Sequence, residues 1–298
     1  MLLIVMAILI LISGVIRPAT LKISHLVEIV RQSVPLGIAA VGQAAVILTG
    51  GIDLSVPATI TMTNIIITRL MQGIESTTTL VVLLVLLIGA GIGAVNGYFI
   101  SKFKVPPMVM TFAMSYLIRG GYMVFSGGTP KGSVSPSIRY IGSGRLYGIP
   151  FSVILYIAIL FFIFVFILNS TRWGKSIYYI GNNKKAAIYS GIPYELRIIL
   201  TYTFSSVMSI IAGLILSGYI GVASYNIGIG YDLDSIAAVV VSGITFTGIG
   251  SLVGAPIGAL IITLVNSVLT SMGIFEPAKL ITQGSIILIM VSLYGKGN

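Results

Sequence analysis

The sequence predicts an all-α integral membrane protein, and three observations support that fold class. Charged residues make up only 8% of the 298 residues, and hydrophobic residues make up 56%. A soluble domain carries about 25% charged residues because its surface must stay in water. Apolar stretches close to the roughly 20 residues that cross a bilayer also recur along the whole chain. A protein this poor in charge must therefore expose most of its surface to lipid.

About ten apolar stretches are the predicted transmembrane helices, within a single transmembrane domain over residues 1–298. Each stretch is bounded by charged residues, prolines or glycines. The stretches lie at 1–16, 34–50, 55–72, 79–101, 107–125, 150–169, 198–218, 234–247, 252–272 and 279–294. Between the first two, residues 17–33 are predicted to form an amphipathic helix along the membrane interface.

Two pairs of neighbouring stretches are short and interrupted by glycine. The first interruption contains Gly50 and Gly51, and the second contains Gly248 and Gly250. Lipid cannot satisfy the backbone groups that a broken helix frees, so such breaks need protein or a water-filled cavity around them. These glycine-broken helices are therefore the predicted location of a pathway through the membrane.

Net charge and residue types exclude several kinds of function. The chain has no cysteine, which excludes disulfide, thiol and zinc chemistry. The net charge of +10 is attributed to basic residues that flank spans and meet anionic lipid, not to nucleic-acid binding. The loop at 170–197 is strongly basic, so the positive-inside rule predicts that it is cytoplasmic. Ten spans then predict cytoplasmic N and C termini.

The two halves of the chain contain related short sequences in the same order. The hexapeptide at 89–94 recurs at 254–259, and the pentapeptide at 51–55 is echoed at 230–234. The hexapeptides fall on the fourth and ninth predicted spans, and an odd number of crossings inverts one repeat relative to the other. The sequence therefore predicts inverted internal repeats, an arrangement common in transporters with a site between the halves. Glycines at four-residue spacing in these repeats are interpreted mainly as helix-packing positions.

Polar residues near the glycine breaks and within the spans are the candidates for lining a translocation path. They are Thr49, Asp53, Ser55, Asn64, Asn96, Asp232 and Asp234. A carboxylate at membrane depth is energetically unfavourable and usually marks a pathway or a structural ion pair. For Asp53 and Asp234 a second interpretation is helix capping, in which the carboxylate accepts hydrogen bonds from free N–H groups. Both interpretations stay open at this point.

The segment at 181–193 is predicted to be a short capped helix. Asn182 or Asn183 can cap its start, Gly191 can adopt the left-handed conformation that ends it, and Pro193 prevents continuation. A helix this short is unstable alone in water, so it is expected to dock on another surface. That surface is either this protein's own helices or a cytoplasmic partner, and we favour the partner.

The chain resembles the permease subunits of ribose-type (monosaccharide) ABC importers, a family related to the branched-chain amino-acid permeases. Four passages carry the resemblance and cover nearly the whole chain in the expected order. They are 45–55, 105–128, 181–192 and 230–258. Two departures are local: Lys184 and Lys185 stand where family members often carry acids, and Pro57 stands where a glycine is usual.

The resemblance implies a non-enzymatic permease subunit of an ATP-binding-cassette importer, which translocates a monosaccharide such as ribose. No catalytic residue, metal or cofactor is expected on this chain, because ATP and Mg would be bound by cytoplasmic ABC ATPase subunits. The resemblance also implies an extracytoplasmic solute-binding protein, a homodimer or heterodimer with a second permease, and insertion in the lipid bilayer of the bacterial cell (inner) membrane.

Segment 181–192 matches the family's coupling helix, which seats in a cleft of the ATPase. The coupling residues that this match implies are Gly181, Asn183, Lys184, Lys185, Ala186, Ala187, Ser190 and Gly191. On the outer face, the loops at 126–149 and 219–230 are predicted to receive the binding protein through Arg145, Tyr219 and Tyr225.

Three alternatives remain. Within the family, nucleosides or branched-chain amino acids are the rival solutes. An ion-coupled secondary transporter would need an acidic or histidine relay deep in the membrane, whereas His25, the single histidine, lies outside the predicted spans. A membrane scaffold without transport activity would leave the broken helices and the docking segment without a purpose.

Overall fold

The computed structural model describes residues 2–16 and 18–295, and this part of the chain consists of helices, turns and one small hairpin. The predicted first span therefore has Met1 outside the described residues. The helices are α1 Leu2–Ile16, α2 Ile23–Leu48, α3 Val56–Met71, α4 Thr78–Lys102, α5 Pro107–Ser126, α6 Pro136–Ser143, α7 Phe151–Phe162 with a π-helical continuation Ile163–Leu168, α8 Arg172–Asn182, α9 Lys184–Tyr189, α10 Tyr194–Ile220, α11 Tyr231–Val241, α12 Gly254–Ser271 and α13 Glu276–Gly295. Single 3₁₀ turns lie at Pro18–Leu21 and Glu75–Thr77, and strands β1 Arg145–Leu146 and β2 Ile149–Pro150 pair in antiparallel fashion.

The all-α membrane fold class is confirmed. In the described part of the chain, six helices are long and apolar enough to cross a bilayer. They are Ile23–Leu48, Glu75–Lys102, Pro107–Ser126, Phe151–Leu168, Tyr194–Ile220 and Gly254–Ser271. A helix overlaps each of the other predicted stretches as well, and the total of about ten crossings stays a prediction.

The predicted interfacial helix at 17–33 is wrong as a separate element. Helix α2 begins at Ile23 and continues without a break to Leu48, with Pro35 inside it. The charges of its first turns bond to the protein itself, since Arg31 pairs with Glu28 at 2.6 Å and lies 4.2 Å from the ring centre of Tyr219. Residues 23–33 are therefore the first turns of α2 and not a helix of their own.

The predicted span at 234–247 is helical only in its first part. Helix α11 ends at Val241, and 11 residues extend only about 16 Å at 1.5 Å per residue. Gly243, with φ +86°, and Ile244 donate back to Val240 and Val239, which is the hydrogen-bond pattern of a glycine-terminated helix. Helix α11 is therefore a half-helix, much shorter than the roughly 30 Å hydrocarbon layer.

The glycine stripes pack helices together, as predicted. A Cβ at Gly97 would lie 2.5 Å from the Cα of Ile199, and one at Gly93 would lie 2.5 Å from the Cα of Thr203, so α4 rests directly on the backbone of α10. In the second half, a Cβ at Gly258 would overlap the carbonyl oxygen of Ala238 on α11. Close backbone approach of this kind is what small residues permit between membrane helices.

The helix pairing matches a duplicated architecture. The series α2, α3, α4 in the first half corresponds to α10, α11, α12 in the second, and in each half a long helix is followed by a non-helical segment and a shorter helix. Helix α4 packs on α10, and α12 packs on α2. The third helix of each half thus packs on the first helix of the other half, as expected for related repeats with a site between them.

We expect Gly93→Ala to destabilise the protein in detergent, because its new methyl group would meet the backbone of α10. Overpacking of this kind usually costs about 1–3 kcal/mol. The control is Gly91→Ala on the same helix, where a Cβ has nothing within 4 Å. Melting of the purified variants should show a lower transition temperature for Gly93→Ala only, and equal transitions would contradict the packing described here.

Candidate translocation and coupling site

Two half-helices begin next to each other inside the protein: α11, and α3, whose 16 residues extend about 24 Å and so also fall short of the hydrocarbon layer. Helix α3 starts after the non-helical segment 49–55, and α11 starts after the segment 221–230. A Cβ at Gly228 would overlap the carbonyl oxygen of Pro57 and approach the hydroxyl oxygen of Thr61 to 2.7 Å. Pro57 lies in the first turn of α3, where a missing N–H is tolerated, so this departure from the family pattern does not disturb the helix. The N-terminal ends of the two half-helices therefore meet at one junction.

Asp53 is the centre of a buried hydrogen-bond network beside this junction. Its side chain is 1% exposed, and it accepts hydrogen bonds from the Ser55 N–H at 2.9 Å, the Ser55 hydroxyl at 2.5 Å and the Ser205 hydroxyl at 2.8 Å. Asn96 Nδ2 donates to the Ser55 hydroxyl oxygen at 3.3 Å. The structure thus brings together three predicted path residues, and it attaches segment 49–55 to both α4 and α10.

These hydrogen bonds bear on whether the Asp53 carboxylate caps the start of α3. The carboxylate accepts the N–H of the residue that precedes α3, so the bond forms a local turn before the helix begins. Sequence reasoning missed Ser205, which lies 152 positions away. The sequence signal for it is a cluster of serines within a largely apolar span, Ser205, Ser206 and Ser209.

Asn64 and Thr49 make structural hydrogen bonds, which join α3 to α10 and segment 221–230 in the case of Asn64 and are local in the case of Thr49. Asn64 is fully buried, donates to the Ser217 hydroxyl at 3.0 Å and the Val222 carbonyl at 3.2 Å, and accepts from the Ser224 N–H at 2.7 Å. The Thr49 hydroxyl donates to the carbonyl of Val46 at 2.8 Å, at the end of α2. Their assignment to the path stays a prediction.

Asp232 and Asp234 face different cavities on the two sides of α11. Asp234 lines a cavity of about 470 Å³ together with His25 and Asn266. Its carboxylate accepts a hydrogen bond from Gln283 Nε2 at 2.5 Å. Asp234 is not the N-cap residue of α11, because the residue before α11 is Gly230 and Asp234 lies inside the first turn.

Asp232 lines a cavity of about 260 Å³ at the junction of the half-helices. We call it the junction cavity. Its walls are the first turns of α3, the middle of α5, segment 221–230 and the start of α11. Arg119 on α5 also faces it, and sequence analysis had assigned no role to this residue.

Helix α9 has the caps that the sequence predicts. Asn183 Oδ1 accepts from the Ala186 N–H at 3.0 Å at its start. At its end Gly191 has φ +80° and donates to Ile188, and Ile192 donates to Ala187, which is a Schellman motif with Ser190 as the C-cap.

The two faces of α9 differ in their contacts. Ala187 is only 4% exposed and packs with Ile198 and Tyr202 of α10, so this residue docks on the protein itself. The opposite face is exposed and carries Lys185, Ala186, Ile188 and Tyr189. Lys184 Nζ lies 3.9 Å from the ring centre of Tyr194, which leaves Lys185 as the charge that points away from α10.

Gly181, just before α9, contacts both glycine breaks. A Cβ at Gly181 would overlap the carbonyl oxygen of Leu48 at the end of α2 and would lie 2.7 Å from the Cα of Gly248. A second link is the Tyr178 hydroxyl, which accepts from the Leu252 N–H at 3.3 Å. The residues that lead into α9 are therefore packed against the end of α2, where segment 49–55 begins, and against segment 242–253 at the same time.

The predicted outer loops lie side by side. A β-bridge joins Ser133 to Val222, so the loop at 126–149 contacts the segment after α10. Arg145 is exposed on the hairpin, and Tyr219 stacks under Arg31. Tyr225 points inward instead, since it lines the junction cavity, which makes it a poor contact for a docking protein.

Comparisons with known proteins agree with this architecture. Residues 25–291 match the family model described as the permease component of branched-chain amino acid transport systems. The chain is 34% identical to the ribose import permease protein of Escherichia coli over 99% of this chain and 92% of that protein. It is 34% identical to the ribose import permease protein of Bacillus subtilis over 96% and 89% of the two chains. It is 33% identical to the galactose/methyl galactoside import permease protein of Escherichia coli over 93% and 88%. No solved structure matches the chain significantly.

Proposed function

The chain belongs to the permease-component family of branched-chain amino acid transport systems, and from this premise we propose that it is the membrane-spanning subunit of an ATP-driven importer for a monosaccharide. The names of its relatives support the solute class, because they import ribose and galactose or methyl galactoside. The single structural observation that supports ATP coupling is the contact of Gly181 with both glycine breaks.

The proposed mechanism is alternating access. Cytoplasmic ABC ATPase subunits bind ATP and Mg and close around the exposed face of α9. The movement passes through Gly181 and Tyr178 to the end of α2, which continues directly into segment 49–55, and to segment 242–253, because both contact the residues before α9. Segments 49–55 and 242–253 flank α3 and α11, so their displacement repacks the two half-helices and opens the junction to the cytoplasm.

The proposed partners follow from the same arrangement. A loaded solute-binding protein docks on the outer loops through Arg145 and Tyr219, and a second permease completes the path as a homodimer or heterodimer. The protein lies in a bacterial inner membrane, and its basic loop at 170–197 and both termini are on the cytoplasmic side. The exposed Lys185 on α9 suits an ATPase cleft that carries acidic residues.

Ala186→Glu tests the docking of α9, because Ala186 lies on its exposed face whereas Ala187 is buried. A carboxylate buried without a partner in an acidic cleft of the ATPase lowers the binding free energy by several kcal/mol. A loss of about 1.4 kcal/mol corresponds to tenfold weaker binding. We expect vanadate-sensitive sugar uptake in proteoliposomes to fall by more than about tenfold. The control is Lys175→Glu, an exposed change of charge on α8.

Unchanged uptake by Ala186→Glu, with the protein still folded, would reject α9 as the ATPase contact. If leucine were accumulated in the same assay and sugars were not, the family's amino-acid function would replace the sugar proposal.

A further inference from the structure

We propose that the junction cavity is a binding subsite for a monosaccharide in transit. The proposal rests on the proposed function and deepens it, since it assigns the solute to a defined place. The cavity of about 260 Å³ lies where the N-terminal ends of α3 and α11 meet, beside the middle of α5. Broken helices with facing ends are the arrangement in which transporters hold solutes at mid-membrane depth.

Two side chains of opposite charge face this cavity without pairing. Arg119 lies on α5 and Asp232 in the first turn of α11. In the described part of the chain, no ion pair within 4.0 Å joins Arg119 to Asp232. Charged side chains within membrane spans face water-filled cavities or partners because lipid solvates them poorly. The junction cavity is therefore hydrated and is not a groove filled by lipid.

Aromatic rings form much of the remaining wall. Tyr122 and Tyr225 are stacked with ring centres 5.7 Å apart, and the Tyr225 hydroxyl lies 2.5 Å from the Ser126 hydroxyl oxygen. Phe112 and Tyr116 pack edge to face at 5.0 Å. Rings held by such contacts offer flat apolar surfaces with polar groups at their edges.

A monosaccharide complements this combination of groups. The apolar C–H face of a sugar ring can lie on the aromatic wall, while its hydroxyl groups both donate and accept. Arg119 can only donate and the Asp232 carboxylate accepts. The hydroxyl oxygens of Ser115 and Thr61 also accept, since their protons are donated to the carbonyl oxygens of Phe112 and Pro57. Pockets for drug-sized ligands measure about 300–1,000 Å³, so this smaller cavity suits a single sugar ring.

The lack of cysteine in the chain permits a direct test that needs no ATPase. Ser115→Cys places a thiol in the cavity wall, and the full-length variant in liposomes is treated with a water-soluble thiol reagent. We expect labelling, and we expect D-ribose or D-galactose to slow it, by about tenfold at about ten times the dissociation constant. The control is Tyr147→Cys, which is exposed on the hairpin outside the spans and does not line the cavity, and whose labelling the sugars should leave unchanged.

Each other outcome overturns the proposal. An unreactive Ser115→Cys would mean that the cavity is not hydrated. Labelling that no sugar slows would mean that no monosaccharide binds there. Protection by leucine or uridine at the concentration where sugars have no effect would assign the subsite to a different solute.

An uptake experiment separates failure of the subsite from failure of the proposed function. Arg119→Gln and Tyr116→Ala should lower the maximal rate of sugar uptake by about tenfold, the effect of losing about 1.4 kcal/mol of stabilisation, while ATP hydrolysis stimulated by the loaded binding protein continues. Tyr98→Ala, an exposed aromatic change on α4 outside the cavity, is the control. If wild-type uptake requires ATP but these variants transport normally, the subsite is rejected and the importer remains.

Discussion

Gly181→Ala is expected to uncouple ATP hydrolysis from solute uptake. Its new methyl group would overlap the carbonyl oxygen of Leu48 and lie 2.7 Å from the Cα of Gly248. Both neighbours are backbone atoms, which cannot rotate away as the end of a side chain can. The residues just before α9 must therefore shift away from Leu48, from Gly248 or from both. A misplacement of about 1 Å far from a reacting centre can lower a rate by about 100-fold. We therefore expect uptake per ATP hydrolysed to fall by at least an order of magnitude.

The measurement compares ATP hydrolysis and sugar uptake in the same proteoliposomes. Asn182→Ala is the matched control, because Asn182 is the exposed neighbour of Gly181. The hydrolysis rate should be retained in both variants, since α9 keeps its caps and its exposed face. Normal uptake per ATP in folded Gly181→Ala would show that movement reaches the membrane by another route.

The second large effect is expected from Asp53→Ala. Removing the carboxylate leaves the Ser55 N–H and the hydroxyl groups of Ser55 and Ser205 without their acceptor in a buried site. Each unsatisfied buried donor costs about 1–3 kcal/mol, and a native protein has only about 5–15 kcal/mol of stability in total. We expect little folded protein, or a sharply lowered melting temperature in detergent.

Asp53→Asn separates a structural role from a role of the charge in transport. An amide keeps one acceptor oxygen for Ser55, and its NH₂ can donate to the Ser205 hydroxyl, which then accepts. Because Asp53 is 1% exposed and bonded on both oxygens, we expect this variant to fold and to retain most uptake. A folded Asp53→Asn without uptake would show instead that the negative charge itself acts on the path.

Local signals predicted the elements whose structure depends on neighbouring residues. The caps of α9 follow from the side chain of Asn183 and the positive φ of Gly191, and both are encoded within ten residues. The glycine stripes likewise predicted close helix contacts, because spacing alone determines which residues share a helix face. The sequence could not say that α10 is the partner of the first stripe.

Contacts between distant residues account for what the sequence did not predict. The prediction of an interfacial helix was wrong because Arg31 contacts Tyr219, 188 positions away in the chain. No local sequence pattern indicates that contact. The partner of Asp53 on α10 and the shared cavity of Arg119 and Asp232 depend in the same way on how the repeats pack. Apolar composition could not show that α11 ends at Val241, because the apolar residues Ile244 and Phe246 follow Gly243.

The most direct test of the account is the energy source of uptake by the wild-type chain. Proteoliposomes that contain the permease, its ATPase and sugar-loaded binding protein are supplied with ATP, with a non-hydrolysable analogue, or with an imposed proton or sodium gradient. We expect the sugar to accumulate only when hydrolysable ATP is supplied, and we expect vanadate to abolish this accumulation. Accumulation driven by an ion gradient in the absence of ATP would contradict it and would identify a secondary transporter.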